Sequence, residues 1–312
     1  MRITNAMMMN NFMGNINRNM TLLGKYQDQL SSGKRITRLS DDPIGIMGSL
    51  DAKAKLRKLD MHNSSIADAK SWLTQTESTL REMNDMVVKA YENTVGASNG
   101  TMTADDKLSA AELVEQLRQH VVQLGNATYG GRYLFGGYNT TQAPFTYDAS
   151  GSTLLYNGID LVTAGAPITD AMKAQVIKYA TGVNVNTDVS INGVELMGTG
   201  ADNLNKILSD LVTALKTDAD ADTLDSFVGQ LQGKQQDILS LLADVGGRAN
   251  RLDMMESSNA DNEINYIEVL SKIEDIDQAQ VTMDFKMAEA VYRSALAVGA
   301  RVIEPTLMDF LR

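Results

Sequence analysis

The 312-residue sequence predicts a mainly α fold: a long helical rod or coiled coil drawn from both halves of the chain, with a small β-rich domain inserted between them. Three observations carry this. Prolines occur only at Pro43, Pro144, Pro167 and Pro305, which leaves two tracts, 44–143 and 168–304, free to run as long helices. Apolar residues recur at alternating three- and four-residue steps through much of both tracts, the period of packed helices. Finally, 12 of the 24 glycines lie between Gly125 and Gly200 and 7 of the 17 aromatics between Tyr129 and Tyr156, so the middle changes character.

In chain order, Ala6, Met9, Met13, Ile16, Met20, Leu23, Gln27 and Leu30 form a first seam. Ser31-Ser32-Gly33 ends it, because Gly33 can take the left-handed conformation that closes a helix. Ser40-Asp41-Asp42-Pro43 reads as a restart, with an acidic cap and proline in the first turn. A second seam runs Leu59, His62, Ile66, Ala69, Leu73, Thr76, Leu80, Met83, Val87, Ala90, Thr94, and Asn99-Gly100 breaks it. Ala110, Val114, Leu117, Val121 and Leu124 make a third stripe. In the C-terminal half the same spacing holds from Ile238 to Ala290, which predicts one uninterrupted helix of roughly 80 Å. Asn259, Asn262 and Gln280 fall on this seam and stand equally as register-fixing polar residues or as partly exposed ones.

Between the helical halves, Asn157-Gly158 and Asn192-Gly193 each separate short β-prone runs, Thr153–Tyr156 from Ile159–Val162 and Val189–Ile191 from Val194–Leu196. Asn-Gly in that setting predicts a hairpin at each. The expected division is terminal coiled-coil segments at 1–42 and 275–312, helical rod at 43–129 and 199–274, and a β-rich domain at 130–198.

Composition removes several functions. The chain has no cysteine and only two histidines, His62 and His120, so thiol chemistry, disulfides and multi-His metal sites are excluded. A net charge of −11 and a pI near 4.7 argue against general nucleic-acid binding. No apolar run reaches the ~20 residues needed to span a bilayer. The first 30 residues hold no apolar signal core or small-residue cleavage site, so the expectation is a cytoplasmic chain or one exported without such a signal. Asp218, Asp220 and Asp222 imitate the start of a calcium loop, but Thr223 and Gly229 stand where glycine and a bidentate glutamate belong; an acidic helix start explains them better. Gly131 and Gly136 imitate a phosphate loop, but Gly137 replaces the lysine. Neither histidine has a serine or carboxylate spaced for a relay, and both read as packing or rim residues. No catalytic residue, cofactor or metal is expected.

Charge is segregated. Residues 1–40 carry six bases against Asp28 alone, and residues 263–289 carry seven acids against Lys272 and Lys286. Pairing of the two ends explains both better than an anionic lipid or nucleic acid does. The end seams hold about eight side chains each, several of them Ala or Gln, too little burial to offset the ordering of an isolated pair. Both ends are therefore expected to order only when several subunits pack together.

Leu30-Ser31-Ser32-Gly33-Lys34-Arg35-Ile36 and Ser40-Asp41-Asp42-Pro43-Ile44-Gly45 resemble the N-terminal signature of the bacterial flagellin superfamily, and Pro305–Leu311 resembles its C-terminal end. Within the superfamily, Asp41-Asp42-Pro43, Tyr133-Leu134-Phe135-Gly136-Gly137 and the ending Leu307-Met308-Asp309-Phe310-Leu311 are similar to the hook-associated branch, although Leu39 stands where a proline is common. The resemblance covers about 1–145 and 235–312. It implies an extracellular structural subunit, exported through the flagellar type III route, forming an adaptor ring at the hook–filament junction. Its implied partners are further copies of itself, a preceding hook-associated protein, flagellin, and an export chaperone at the C-terminal region. The subunit interface is expected at Met9, Met13, Ile16, Met20, Leu23 and Leu30, and at Ile276, Met283, Met287, Leu307, Phe310 and Leu311. A flagellin proper is the nearest alternative. A helical signalling rod is more remote, since it would need a tight helical turn where the Asn-Gly pairs lie.

Overall fold

The structure, a computed structural model, describes residues 5–100, 102–148, 153–182 and 184–302. It is mainly α, with small antiparallel sheets in the middle of the chain. The helices before the middle are α1 (Asn5–Ser32), α2 (Pro43–Ser98) and α3 (Ala104–Gly125). The sequence signals set their ends. Gly33 closes α1 at φ +70°, its N–H reaching the Gln29 carbonyl at 2.8 Å. Asp42 caps α2 by accepting the Gly45 N–H at 2.9 Å, with Pro43 in the first turn. Gly100 follows the end of α2 at φ +66°. A reciprocal capping box of Thr103 and Asp106 starts α3.

The middle holds β1 (Thr128–Tyr129), β2 (Arg132–Tyr133), β3 (Phe145–Tyr147), β4 (Leu154–Tyr156), β5 (Ile159–Asp160), α4 (Ala166–Lys173), β6 (Lys178–Gly182), β7 (Val185–Asp188) and α5 (Gly193–Met197). Strands pair as β1-β2, β3-β4-β5 and β6-β7, all antiparallel. The Asn157-Gly158 turn forms as expected: Tyr156 faces Ile159, and Asn157 and Gly158 take φ +49° and +82°. The Asn192-Gly193 hairpin does not form. Asn192 instead caps α5, its side-chain oxygen accepting the N–H groups of Val194 and Glu195. Gly193 is required by proximity, since a Cβ there would lie 2.3 Å from the Tyr156 ring and 2.6 Å from Phe145. The hairpin in this stretch is β6-β7, one not foreseen.

The chain closes with α6 (Leu204–Lys216), α7 (Ala221–Glu274) and α8 (Gln278–Val302). The single long helix expected through Ala290 is in fact two. The break falls at Asp275-Ile276-Asp277, where Asp277 accepts the N–H groups of Ala279 and Gln280 and so caps α8. The three-four spacing passes through the break unchanged, so periodicity could not show it.

The chain divides into two compact units, 60–259 and the two ends, 1–59 with 260–312. The core of the first is built from heptad-spaced residues. Ile66, Leu73, Leu80 and Val87 of α2 and Leu224, Leu231, Ile238, Val245 and Leu252 of α7 are all essentially inaccessible. Val114 and Val121 of α3 and Leu208, Leu211 and Leu215 of α6 complete it. His62 is buried with Nδ1 3.3 Å from the Ala180 carbonyl, and His120 is half exposed beside Glu82. Asn259 accounts for its seam position by donating to Asn63 Oδ1 at 2.9 Å, while Asn262 and Gln280 are exposed. Asp218 holds Lys107 at 2.6 Å, and Asp222 lies in the first turn of α7.

Candidate assembly interface

The second unit joins α1, the loop after it, the first turns of α2, the last turns of α7, and α8. Helices α1 and α8 pack antiparallel: Phe12 lies against Gly299 at one end, and Ile276 donates to the Gly33 carbonyl at the other. A Cβ on Gly299 would sit 2.0 Å from the Phe12 ring, so glycine lets the two helices close up.

The predicted seams divide between two faces. On α1, Phe12, Ile16, Leu23, Tyr26 and Leu30 are half-buried, whereas Met9, Met13 and Met20 point outward, Met20 with 61% of its surface exposed. On α8, Val281, Phe285, Ala288, Tyr292 and Ala295 are half-buried, whereas Met283 and Met287 point outward, Met287 at 66% exposed. Each helix thus has two apolar faces, and the counted spacing slid from one to the other. Ile276 is half-buried in the connection between α7 and α8. Leu307, Phe310 and Leu311 lie outside the described residues. Beside the outward methionines, Ala290, Ser294, Ala295 and Val298 make a shallow apolar groove that Phe12 and Asn15 border.

A polar knot that sequence reasoning missed pins the connections. Glu274, at the end of α7 and almost fully buried, accepts from Lys34 at 2.9 Å and from Ser49 and Lys53. Burial pushes its carboxyl up, but the hydrogen bonds from Lys53, Ser49 and Lys34 together outweigh that and hold it down to about 2. The hydrogen bond to Glu274 raises the Lys34 ammonium in turn. Backbone bonding reinforces the knot: Arg35 N–H donates to the Glu274 carbonyl, and the Arg35 guanidinium donates to the Ile273 carbonyl at 3.0 Å. Nearby, Lys55 lies 5.5 Å from the Tyr266 ring centre. The charge segregation anticipated that the ends pair, and Lys34–Glu274 is where opposite charges meet. Along α1 and α8 they do not: Glu289 is held by Lys286 and Arg293 of its own helix, and among the described residues neither Arg18 nor Lys25 forms an ion pair.

What this arrangement offers is surface. Among the described residues no group of three or more His, Cys, Asp or Glu is placed to hold a metal ion, and no helix is long and apolar enough to cross a membrane.

The profile of the bacterial flagellin N-terminal helical region matches residues 3–140. Hook-associated protein 3 of Escherichia coli K12 is 29% identical over 95% of this chain and 95% of its own length. Over nearly its whole length the chain is thus similar to a flagellar protein, and over residues 3–140 to the flagellin N-terminal helical region. The chain is also similar to a filament core protein, the 30.7 kDa protein of Treponema maltophilum, at 24% identity over 88% of this chain and 86% of that one. The fold recurs in a flagellar hook-associated protein structure from Vibrio parahaemolyticus, with a TM-score of 0.65 at 19% identity, covering 75% of this chain and all of that one. The likeness is to structural components of the flagellum, and in this chain Lys34, Ser49, Lys53 and Glu274 tie the connections between helices together.

Proposed function

We propose that this chain is an adaptor subunit at the hook–filament junction. A ring of copies joins a preceding hook-associated protein to the first layer of flagellin. The observation that carries the reading is the end-to-end likeness to hook-associated protein 3, which extends through the middle of the chain as well as its ends. The outward methionine faces of α1 and α8 support it. Apolar surface held at helical spacing on an exposed pair suits burial between subunits, and methionine suits surfaces that must repack against unlike neighbours.

In this reading Met9, Met13, Met20, Met283 and Met287 are buried between subunits, and so are Leu307, Phe310 and Leu311. Ile16, Leu23, Leu30 and Ile276 hold each subunit's own pair together. The ends, 1–42 and 275–312, order fully on assembly, 43–129 with 199–274 forms the helical body, and 130–198 is the outer insertion. Before assembly an export chaperone holds the C-terminal region, and the chain leaves the cell by the flagellar type III route.

The test is the amount of this chain in sheared, purified flagella, measured by quantitative mass spectrometry. A trace component fits a junction ring. A dominant band makes the chain a filament flagellin, and absence removes it from the flagellum. Deleting Leu307–Arg312 is expected to leave the 60–259 unit folded while stopping incorporation.

A further inference from the structure

The most exposed large apolar side chain among the described residues, Ile44, lies away from the terminal methionines, at the start of α2. Ile44 has 84% of its surface exposed, Met47 71% and Leu50 54%. Helical spacing puts them on one face with Arg57 and Lys58, opposite Ser49, Ala52 and Leu56, which turn inward. Among the described residues Arg57 and Lys58 form no ion pair. At the end of α7, Tyr266, Leu270, Ile273 and Glu274 turn inward, and the opposite face carries Asp261, Ile264 and Glu268, with Ile267 at its edge. Ile264 and Ile267 are at least half exposed. The two segments are opposite in charge: residues 44–59 carry four bases against Asp51, and residues 260–274 carry four acids against Lys272.

We infer that these two faces are complementary halves of one contact between neighbouring copies: the outward face of α2 of one copy docks on the outward face of α7 of the next. The inference rests on the ring proposed above and adds a surface separate from the terminal methionines. The spacing fits. In a ring whose copies share one orientation, α2 of one copy runs antiparallel to α7 of its neighbour, as these helices do within a chain. Met47 and Leu50 are three residues apart, as are Ile264 and Ile267. Setting Met47 against Ile267 and Leu50 against Ile264 brings Asp261 level with Lys53, about one turn from Arg57 and Lys58 and within reach of their long side chains. The faces differ from each other, so the contact is head-to-tail and leaves one free face of each kind until the ring closes. Placing like charges on either face would oppose it.

The absence of cysteine gives a clean test. Full-length Leu50→Cys and Ile264→Cys chains, alone and mixed in equal amounts, are assembled on purified hooks and treated with a short bismaleimide. The expected result is a cross-linked dimer in the mixture at least tenfold above either chain alone. Adding Arg57→Glu and Lys58→Glu to the first chain should cut that product about tenfold, and Asp261→Lys in the second should restore it; circular dichroism checks that each variant folds. Assembly on hooks without the mixed product overturns this surface and leaves the adaptor reading standing. A chain that does not assemble on hooks at all overturns both.

Discussion

Residues 60–259 and the two ends are built on the same apolar spacing and use it differently. In the first unit Leu73 and Leu80 of α2, seven residues apart, are sealed in their own chain's core. In the end unit Met13 and Met20 of α1, also seven apart, stand half exposed or more. A three-four pattern tells which side of a helix avoids water. Whether the partner is another helix of the same chain or a neighbouring molecule is settled by which residues fill the pattern and what else is near. The closed α2 seam is Ile66, Leu73, Leu80 and Val87 with Ala69, Thr76 and Ala90 between them and Met83 its one methionine; the outward positions of the open one are methionine, which adapts.

The sharpest way to break this comparison is to truncate one residue from each seam. Leu80→Ala should cost about 2–5 kcal/mol, because its site is fully enclosed by helix and cannot collapse freely. Urea unfolding followed by far-UV ellipticity measures it. A loss below about 1 kcal/mol would mean that the 60–259 core is loosely packed and that the two units do not differ as described.

The polar knot of the end unit gives the next effect. Glu274 titrates at about 2 when folded, against an ordinary 4.5. Since the folded value is the lower one, the stabilisation is complete above pH 4.5 and is lost as the pH falls through 4.5 toward 2, about 3 kcal/mol in all. Glu274→Gln should remove that part of the acid sensitivity. The wild-type minus variant difference in thermal midpoint, measured from pH 6 down to pH 2, isolates it from the other carboxylates. A difference that does not shrink toward low pH would show that Glu274 is not held as a carboxylate.

How much of this was legible follows from how local each cause is. The end of α1 at Gly33, the start of α2 at Pro43 and the Asn157-Gly158 turn depend on a few neighbouring residues, and all could be read directly. Asn192-Gly193 is the same dipeptide with a different outcome, because the rings of Tyr156 and Phe145, distant in sequence, press on Gly193. The break between α7 and α8 carried a local signal, Asp277 as a cap, which an unbroken apolar spacing masked. The Glu274 knot carried almost none, since Lys34 and Glu274 are 240 residues apart and only the segregated charge hinted that their segments meet.

Two glycines sharpen the contrast at smaller amplitude. Gly193→Ala drives a methyl into the Tyr156 and Phe145 rings, both buried, and should cost about 1–3 kcal/mol by forcing those rings off their rotamers. Gly299→Ala meets Phe12, whose ring is half exposed and free to swing aside, and should cost less than about 1 kcal/mol. Comparing their urea midpoints tests whether packing in the end unit yields where packing in the other does not; equal costs would mean that it does not.

The smallest effect on the free chain is the most informative. Met20→Ala and Met287→Ala truncate side chains that are mostly exposed, so each should change the stability of the isolated subunit by no more than about 0.5 kcal/mol. If those faces are buried between subunits, the same changes should reduce incorporation into hook-bound rings about tenfold, because each then removes a methionine from a closed interface in every copy. Unfolding and incorporation measured side by side separate the two outcomes. A variant that loses stability without losing incorporation would place Met20 and Met287 in the subunit's own core, and the open seam would then belong to the same class as the closed one.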